Sequence, residues 1–322
     1  MTLNYILDSS RGKFGDRPAV GMAMKRQISY TELHHHVITL AVKLMEMGVG
    51  KGDRVAILAE NSPYWGMAYF SIVRLGAIVV PILPDLPESD IHHILSEMSV
   101  QVVFTTQRQV DKIIEKKDFG GTLVMLDDTT VAEGLIETMP LAEMLVQGTT
   151  ILAEVPETPV FPDVYEDDTA AILYTSGTSG YSKAVILSHK NLTGNAFSGS
   201  KLMELEVGNV FLSILPLAHT YEFSMGFLLP LIIGCRIAYA GKTPTPGVLQ
   251  KICQHEKPHI IFAVPLVLEK IYKKKILPQI EKGGMISLAR RTQVGRKLIA
   301  KKIGARLVEF FGGNLKAMCV GG

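Results

Sequence analysis

Short runs in which apolar residues hold successive positions recur along the chain, at 54–59, 77–82, 100–104, 123–126, 170–174 and 210–214. A strand with one wet face alternates apolar and polar positions; one covered on both faces need not, so these runs predict parallel strands buried on both sides. Between them the period lengthens. Over 29–47, Tyr30, Leu33, Val37, Leu40, Ala41 and Leu44 share one stripe of a predicted helix, and Gly48, Gly50 and Gly52 follow before the run at 54–59. Helix, glycine turn and buried strand make an α/β connection in outline, and α/β is the predicted fold class. The most apolar run, 223–235, is shorter than the ~20 residues of a bilayer span and contains Pro230, so it predicts a buried helix.

The pattern lapses over 149–168, which holds three prolines and six acidic residues. That stretch reads as a linker between a first α/β subdomain, 1–165, and a second, 166–322. No repeat of 20 to 50 residues divides the chain further.

Composition changes little until charge is read locally. The 322 residues are 47% hydrophobic and 20% charged, with a formal charge of +2, which excludes disordered, collagenous and small disulfide-framework chains. Cys235, Cys253 and Cys319 are widely spaced with no CxxC, arguing against a disulfide scaffold or cysteine zinc site and for a reducing, cytoplasmic compartment. Residues 1–13 carry Asp8 and no apolar stretch long enough for a secretory signal. The small net charge conceals an asymmetry: 269–306 holds twelve Lys or Arg against two Glu. Two readings stand, a pair of solvated helices or attraction to an anionic surface such as membrane lipid headgroups. No nucleic acid partner is expected, because only Tyr272 interleaves an aromatic.

Chemistry concentrates at 174–184. Thr175, Ser176, Gly177, Thr178, Ser179, Gly180, Ser182 and Lys183 lie between the run ending at Tyr174 and another at 185–187. Glycines let backbone N–H groups turn toward one anion, hydroxyls add donors and Lys183 adds a point charge, so the stretch reads as a phosphate cradle. It is not a Walker A loop, since Ala184 follows the lysine, and it lacks the centred serine of a GxSxG elbow. An ordinary Gly/Ser surface loop is the alternative from composition alone.

The order YTSGTSGxSK, followed by SHKN, resembles the signature loop of the adenylate-forming enzymes, usually Tyr/Phe-Thr-Ser-Gly-Thr-Thr/Ser-Gly-x-Pro-Lys-Gly. Residues 48–63 and 74–84 resemble early strands of that family. Residues 215–222, Leu-Pro-Leu-Ala-His-Thr-Tyr-Glu, are similar to the acyl-site motif of long-chain fatty acyl-CoA synthetases, and 255–272 resembles a further segment of them. The likeness runs in order over nearly the whole chain. Ser182 and Ala184 depart from the commoner Pro and Gly, and Gly322 falls where the resemblance predicts the start of the adenine-binding strand and loop. The adenine, ribose and magnesium motifs and the C-terminal domain with its catalytic lysine would lie beyond. The resemblance therefore implies the N-terminal portion of a longer enzyme, two βα sandwich subdomains, inactive by itself.

That resemblance implies an AMP-forming acid–thiol ligase that activates a fatty acid with ATP and Mg2+ and passes it to coenzyme A. It implies Lys183 and Thr178 as catalytic, 175–180 with Lys183, Gly321 and Gly322 as nucleotide-binding, and Thr175 near the metal. His219, Tyr221, Glu222, Phe223, Met225 and Gly226 would border the acid, with Gly226 leaving room and Phe223 and Met225 lining an acyl pocket. Delivery to a carrier protein is the near alternative, a non-catalytic nucleotide- or lipid-binding module the distant one, and a homodimer is compatible with the resemblance.

Two metal-like patterns are set aside. His255-Glu-Lys-Pro-His259 is a literal HExxH, but Pro258 interrupts the helix that must place both histidines one turn apart. His34, His35 and His36 are successive, about 100° apart on a helix, and read as a surface feature, as do His92 and His93. His219 differs in its apolar sequence surroundings; unaided it reads equally as a hydrogen-bonded core histidine.

Overall fold

Element boundaries follow local signals. Helix α1 (Leu3–Phe14) begins where the Thr2 hydroxyl accepts the Tyr5 N–H, and α2 (Tyr30–Glu46) begins at a reciprocal capping box between Ser29 and Glu32. Tyr30, Leu33, Val37, Leu40, Ala41 and Leu44 of α2 are all buried, as the stripe predicted. The computed structural model describes residues 1–115, 119–129, 136–154, 159–175, 183–241, 244–278 and 293–321.

Among these residues the chain forms two sheets. One has the order β7 (Glu137–Pro140), β6 (Thr122–Met125), β5 (Val102–Thr105), β3 (Arg54–Leu58), β4 (Ile78–Pro81), β8 (Thr169–Thr175), β9 (Lys183–Ser188). The other has the order β13 (Ala317–Val320), β12 (Ile260–Ala263), β10 (Val210–Ser213), β11 (Arg236–Tyr239), β1 (Pro18–Met22), β2 (Gln27–Ser29). Every pairing is parallel except β8 with β9 and β1 with β2. All six apolar runs are strands. The helices between them are α3 (Pro63–Arg74), α4 (Glu88–Glu97), α5 (Gln107–Ile114), α6 (Leu141–Glu154), α7 (His189–Ser200), α8 (Leu229–Ile233), α9 (Pro246–Glu256), α10 (Pro265–Ile271) and α11 (Gln293–Phe310). None of them is long and apolar enough to cross a membrane.

Sheet membership does not follow a division at 165/166. The hairpin β1–β2 joins the sheet built from 210–320, because Val20, Gly21 and Met22 pair in parallel with Ile237, Ala238 and Tyr239. Strands β8 and β9 complete the sheet built from 54–140. Nor is 149–168 a free linker. Residues through Glu154 finish α6. The acidic turn before β8 is tied down by Lys51 to Asp168 (2.8 Å) and Lys190 to Glu166 (3.0 Å), with the N-terminal ammonium also on Glu166. Its acids interrupt the apolar pattern because they hold lysines at a surface corner.

The buried run at 223–235 is helical through Ile233, with a π-helical turn at Glu222–Leu228 that runs into α8, and Pro230 stands at the junction between the two. This run packs on α3. Phe223 lies 4.3 Å from Tyr69 and 6.0 Å from Trp65 between ring centroids, and Phe227 lies 5.5 Å from Phe70. Gly66 permits the approach, since a Cβ there would stand 2.6 Å from the Phe227 ring. This aromatic seam is where the two sheets' layers share one core.

Candidate active site

The hairpin β8–β9 carries the cradle sequence. Ala170 to Leu173 are buried between neighbours, then the strand leaves the core: Tyr174 is half-buried and Thr175 exposed. Tyr174 is anchored by its hydroxyl, which donates to Glu97 Oε2 at 2.5 Å. Thr175 stands opposite Lys183 in the last antiparallel rung. Ser176, Gly177, Thr178, Ser179 and Gly180 lie outside the described residues, as does Gly322. Lys183 is exposed at the start of β9. After β9, the SHKN sequence becomes a capping box in which Ser188 and Asn191 satisfy each other's backbone N–H and start α7.

Residues 214–221 leave the carboxyl end of β10. Their position is set by Asn61, which follows β3: Asn61 Nδ2 donates to Ser213 Oγ (2.9 Å) and Leu215 O (2.5 Å), and Asn61 Oδ1 accepts from Leu217 N (2.8 Å). One buried side chain thus fastens the loop of one sheet to the strand end of the other. Beside this staple is a cleft of about 190 Å³ lined by Glu60, Asn61, Asp85, Arg108, Leu215 and Gly241.

The predicted residues of this loop divide into two groups. His219 is exposed rather than enclosed, although Leu217 and Ala218 beside it are buried; its Nδ1 accepts the Tyr221 N–H at 3.3 Å. Tyr221 is half-buried, packs edge-on against Phe262 of β12 at 5.3 Å, and lies beside Gly321, where a Cβ would stand 3.5 Å from its ring. Gly321 itself donates its N–H to Ala263 O at 3.1 Å, directly after β13. Leu173 of β8 shares a small cavity with Leu217, Thr220 and Phe223. Leu173 of the hairpin thus borders the 219–221 turn, and that turn borders Gly321, near where β8, β10, β12 and β13 end. The carboxyl ends of parallel strands are the usual ligand-binding edge of open α/β sheets.

The AMP-binding enzyme family matches residues 7–321. The chain belongs to that family. Among curated relatives, 4-coumarate–CoA ligase-like 6 of Arabidopsis thaliana is 29% identical over 268 residues, 81% of this chain and 46% of the relative. Long-chain-fatty-acid–CoA ligase heimdall of Drosophila melanogaster is 28% identical over 290 residues, 85% of this chain and 43% of the relative. The chain spans less than half the length of these relatives. A solved fatty acyl CoA synthetase of Mycobacterium tuberculosis shares the fold, with a TM-score of 0.71 at 20% identity over 86% of this chain and 52% of that one.

In this chain the second group, Glu222 to Gly226, serves the core more than a pocket. The Glu222 carboxyl is buried without a hydrogen-bond partner among the described residues; burial pushes it up to about 8, drawn back a little by the nearby Ser213 hydroxyl. It is a neutral acid at pH 7. Gly226 leaves room for that carboxyl and not for a ligand, since a Cβ there would stand 2.6 Å from Glu222 Cδ. Phe223 belongs to the aromatic seam, and the cavity beside it is about 10 Å³, enough for one water at most. Met225 packs against Gly199 of α7, where a Cβ would meet its sulfur at 2.6 Å. An apolar run read from sequence cannot distinguish pocket lining from core, because both demand the same side chains.

Two residues escaped the sequence reading. Asn61 lay inside a quoted strand segment with nothing to mark it. His189, of the SHKN sequence, is fully buried and accepts the Leu3 N–H at Nδ1 (3.2 Å); burial lowers it to about 4 and keeps it neutral. Of the set-aside patterns, α9 ends at Glu256, Lys257 turns left-handed at φ 46°, and His259 instead accepts the Val210 N–H at 3.0 Å.

Proposed function

We propose that this chain carries the phosphate- and acid-binding part of a ligase that activates a fatty acid as an acyl-adenylate and transfers it to coenzyme A. The observations that support it most are that Thr175 and Lys183 face each other at the end of a hairpin whose Leu173 shares a small cavity with Thr220 of the 219–221 turn, and that Tyr221 of that turn lies against Gly321. An acid and ATP must meet there as two anions. The carboxylate oxygen attacks the α-phosphorus, the α–β P–O bond breaks, and pyrophosphate leaves; the coenzyme A sulfur then attacks the acyl carbonyl and AMP leaves. Lys183 would supply a fixed cation to the leaving phosphates, with 175–180 adding donors. These donors suit a triphosphate: hydroxyls and a lysine with no carboxylate among them. Mg2+, when bound, would neutralise further phosphate charge, with Thr175 beside it. Tyr221 and Gly321 would flank the nucleotide and acid between them, and nothing in the proposal needs a covalent nucleophile from the protein.

The test is ATP–pyrophosphate exchange by the full-length gene product with saturating fatty acid, alongside thioester formation from pre-made acyl-adenylate. Lys183→Ala is expected to slow exchange about 10²-fold, since removing one preorganised donor from developing charge typically costs 10²–10³. Its melting temperature should not move, because Lys183 is exposed. Exchange within about twofold of the parent, or a loss confined to the thioester step, would overturn the role given to Lys183. Comparing coenzyme A with an acyl carrier protein as acceptor separates the two ligase readings.

A further inference from the structure

The basic segment acquires a shape in the structure. Helix α11 spans 18 residues, about 27 Å at 1.5 Å per residue. One face is turned inward: Phe310 is buried, and Ile303 and Leu307 pack against the core. The opposite face carries two aliphatic side chains in its first two turns. Val294 is 70% exposed and Leu298, one turn later, 63% exposed. Lys297, Lys301 and Lys302 are exposed around them, and 100° per residue places Lys301 and Lys302 within about 60° of Leu298. The π-helical turn at Tyr272–Ile276, which touches α11, adds the exposed Lys274. The one carboxylate of α11, Glu309, is paired with Arg306 at 2.7 Å, and Glu269 is paired with Lys273. Neither cancels the lysines around Leu298.

A solvated helix has no use for two outward aliphatic side chains on its lysine-rich face. A nucleic acid would answer the lysines and leave Val294 and Leu298 wet. An anionic bilayer answers both, offering phosphate and carboxylate headgroups to the lysines and the acyl boundary to the aliphatics. The geometry points to the outer face of α11 as a docking surface for an anionic lipid membrane, held parallel to the bilayer plane. This is independent of the proposed ligase chemistry and survives or fails without it.

The 322-residue chain is tested by sedimentation with vesicles of phosphatidylcholine alone and with 30% phosphatidylserine. Binding is expected only with phosphatidylserine, weakening as salt rises and the Debye length shrinks toward ~8 Å. Replacing Lys297, Lys301 and Lys302 together by Ala should lower partitioning about 100-fold, at roughly fivefold per lysine. Replacing Val294 and Leu298 by Ser should lower it about tenfold while leaving the salt dependence unchanged. Circular dichroism verifies that both variants, altered only at exposed positions, stay folded. Equal binding to neutral vesicles, no binding to either, an unchanged Val294→Ser/Leu298→Ser variant, or tighter binding to RNA in the same buffer would each overturn the proposal.

Discussion

The seam between the sheets and the edge where their strands end are made on opposite terms. In the seam, Trp65, Tyr69, Phe223 and Phe227 are at most 4% exposed, and ring contacts set their positions. At the edge, Thr175, Lys183 and His219 are exposed, and hydrogen bonds with the backbone set theirs: the rung between Thr175 and Lys183, and the Tyr221 N–H donated to His219 Nδ1. A side chain that must meet a charged ligand cannot be fixed by burial without losing access to it. Its strand can be. Substitutions in the seam should therefore register as stability, and those at the edge as binding and rate.

The sharpest way to break that contrast is at Trp65. It is fully buried, stacked on Tyr69 at 5.4 Å, and edge-on to Phe227 at 6.5 Å. Trp65→Ala removes that area and leaves a cavity between two layers, for which ~3–5 kcal/mol is the ordinary cost. Denaturant unfolding should show the loss with the m-value unchanged. A variant that keeps its stability yet alters ligand binding would mean the seam is functional surface after all.

This division also explains what the sequence could disclose. The strands were legible because burial on both faces leaves uninterrupted apolar runs, and α2 was legible because one-sided burial leaves a stripe. The hairpin that carries the cradle sequence was legible from the apolar runs on either side of it, while most of the cradle itself lies outside the described residues. Sheet membership was not, since the short β1 pairs with β11 more than 200 positions away and no local pattern records a partner at that distance. Asn61 was invisible for a similar reason: its three hydrogen bonds all end on residues of the 213–217 segment. What fills the space beside Gly226 was not legible, because room around a glycine can be taken by the protein's own side chain, here Glu222.

Glu222 offers a second, somewhat smaller effect. Its folded value, near 8, lies above the model-peptide value of 4.5. The unfolded chain therefore ionises first as pH rises, so the contribution is fully present below about 4.5 and is lost progressively until pH passes 8. Relative to Glu222→Gln, wild-type stability should fall by about 3 kcal/mol between pH 5 and 8, on a scale of 1.36 kcal/mol per unit. His189 works in the other direction. Its folded value, about 4, is below 6.5, so its contribution is present above 6.5 and is lost as pH falls toward 4. Parallel curves for wild type and Glu222→Gln would show that Glu222 does not stay neutral in the seam.

The smallest effect, and the one that joins the two regions, belongs to Asn61. It is 6% exposed, sits at the seam's end, and holds 213–217, the base from which His219 and Tyr221 project. Asn61→Ala deprives the Leu217 N–H and the Leu215 carbonyl of their partner. An unsatisfied buried group costs about 1–3 kcal/mol, and because the adjoining cleft of about 190 Å³ is lined by Leu215 and can admit water to its carbonyl, the lower end, about 1–2 kcal/mol, is expected. Hydrogen exchange at the Leu217 amide should quicken by more than global unfolding accounts for. The consequence at the edge is a looser 219–221 turn with Thr175 and Lys183 unmoved, since they are set by a different hairpin. In the full-length gene product, KM for the acid should therefore rise while KM for ATP stays put. If stability falls and both constants are unchanged, Asn61 only fastens two layers; if the ATP constant moves equally, the edge is one mechanical unit and the contrast between register and burial is too sharply drawn.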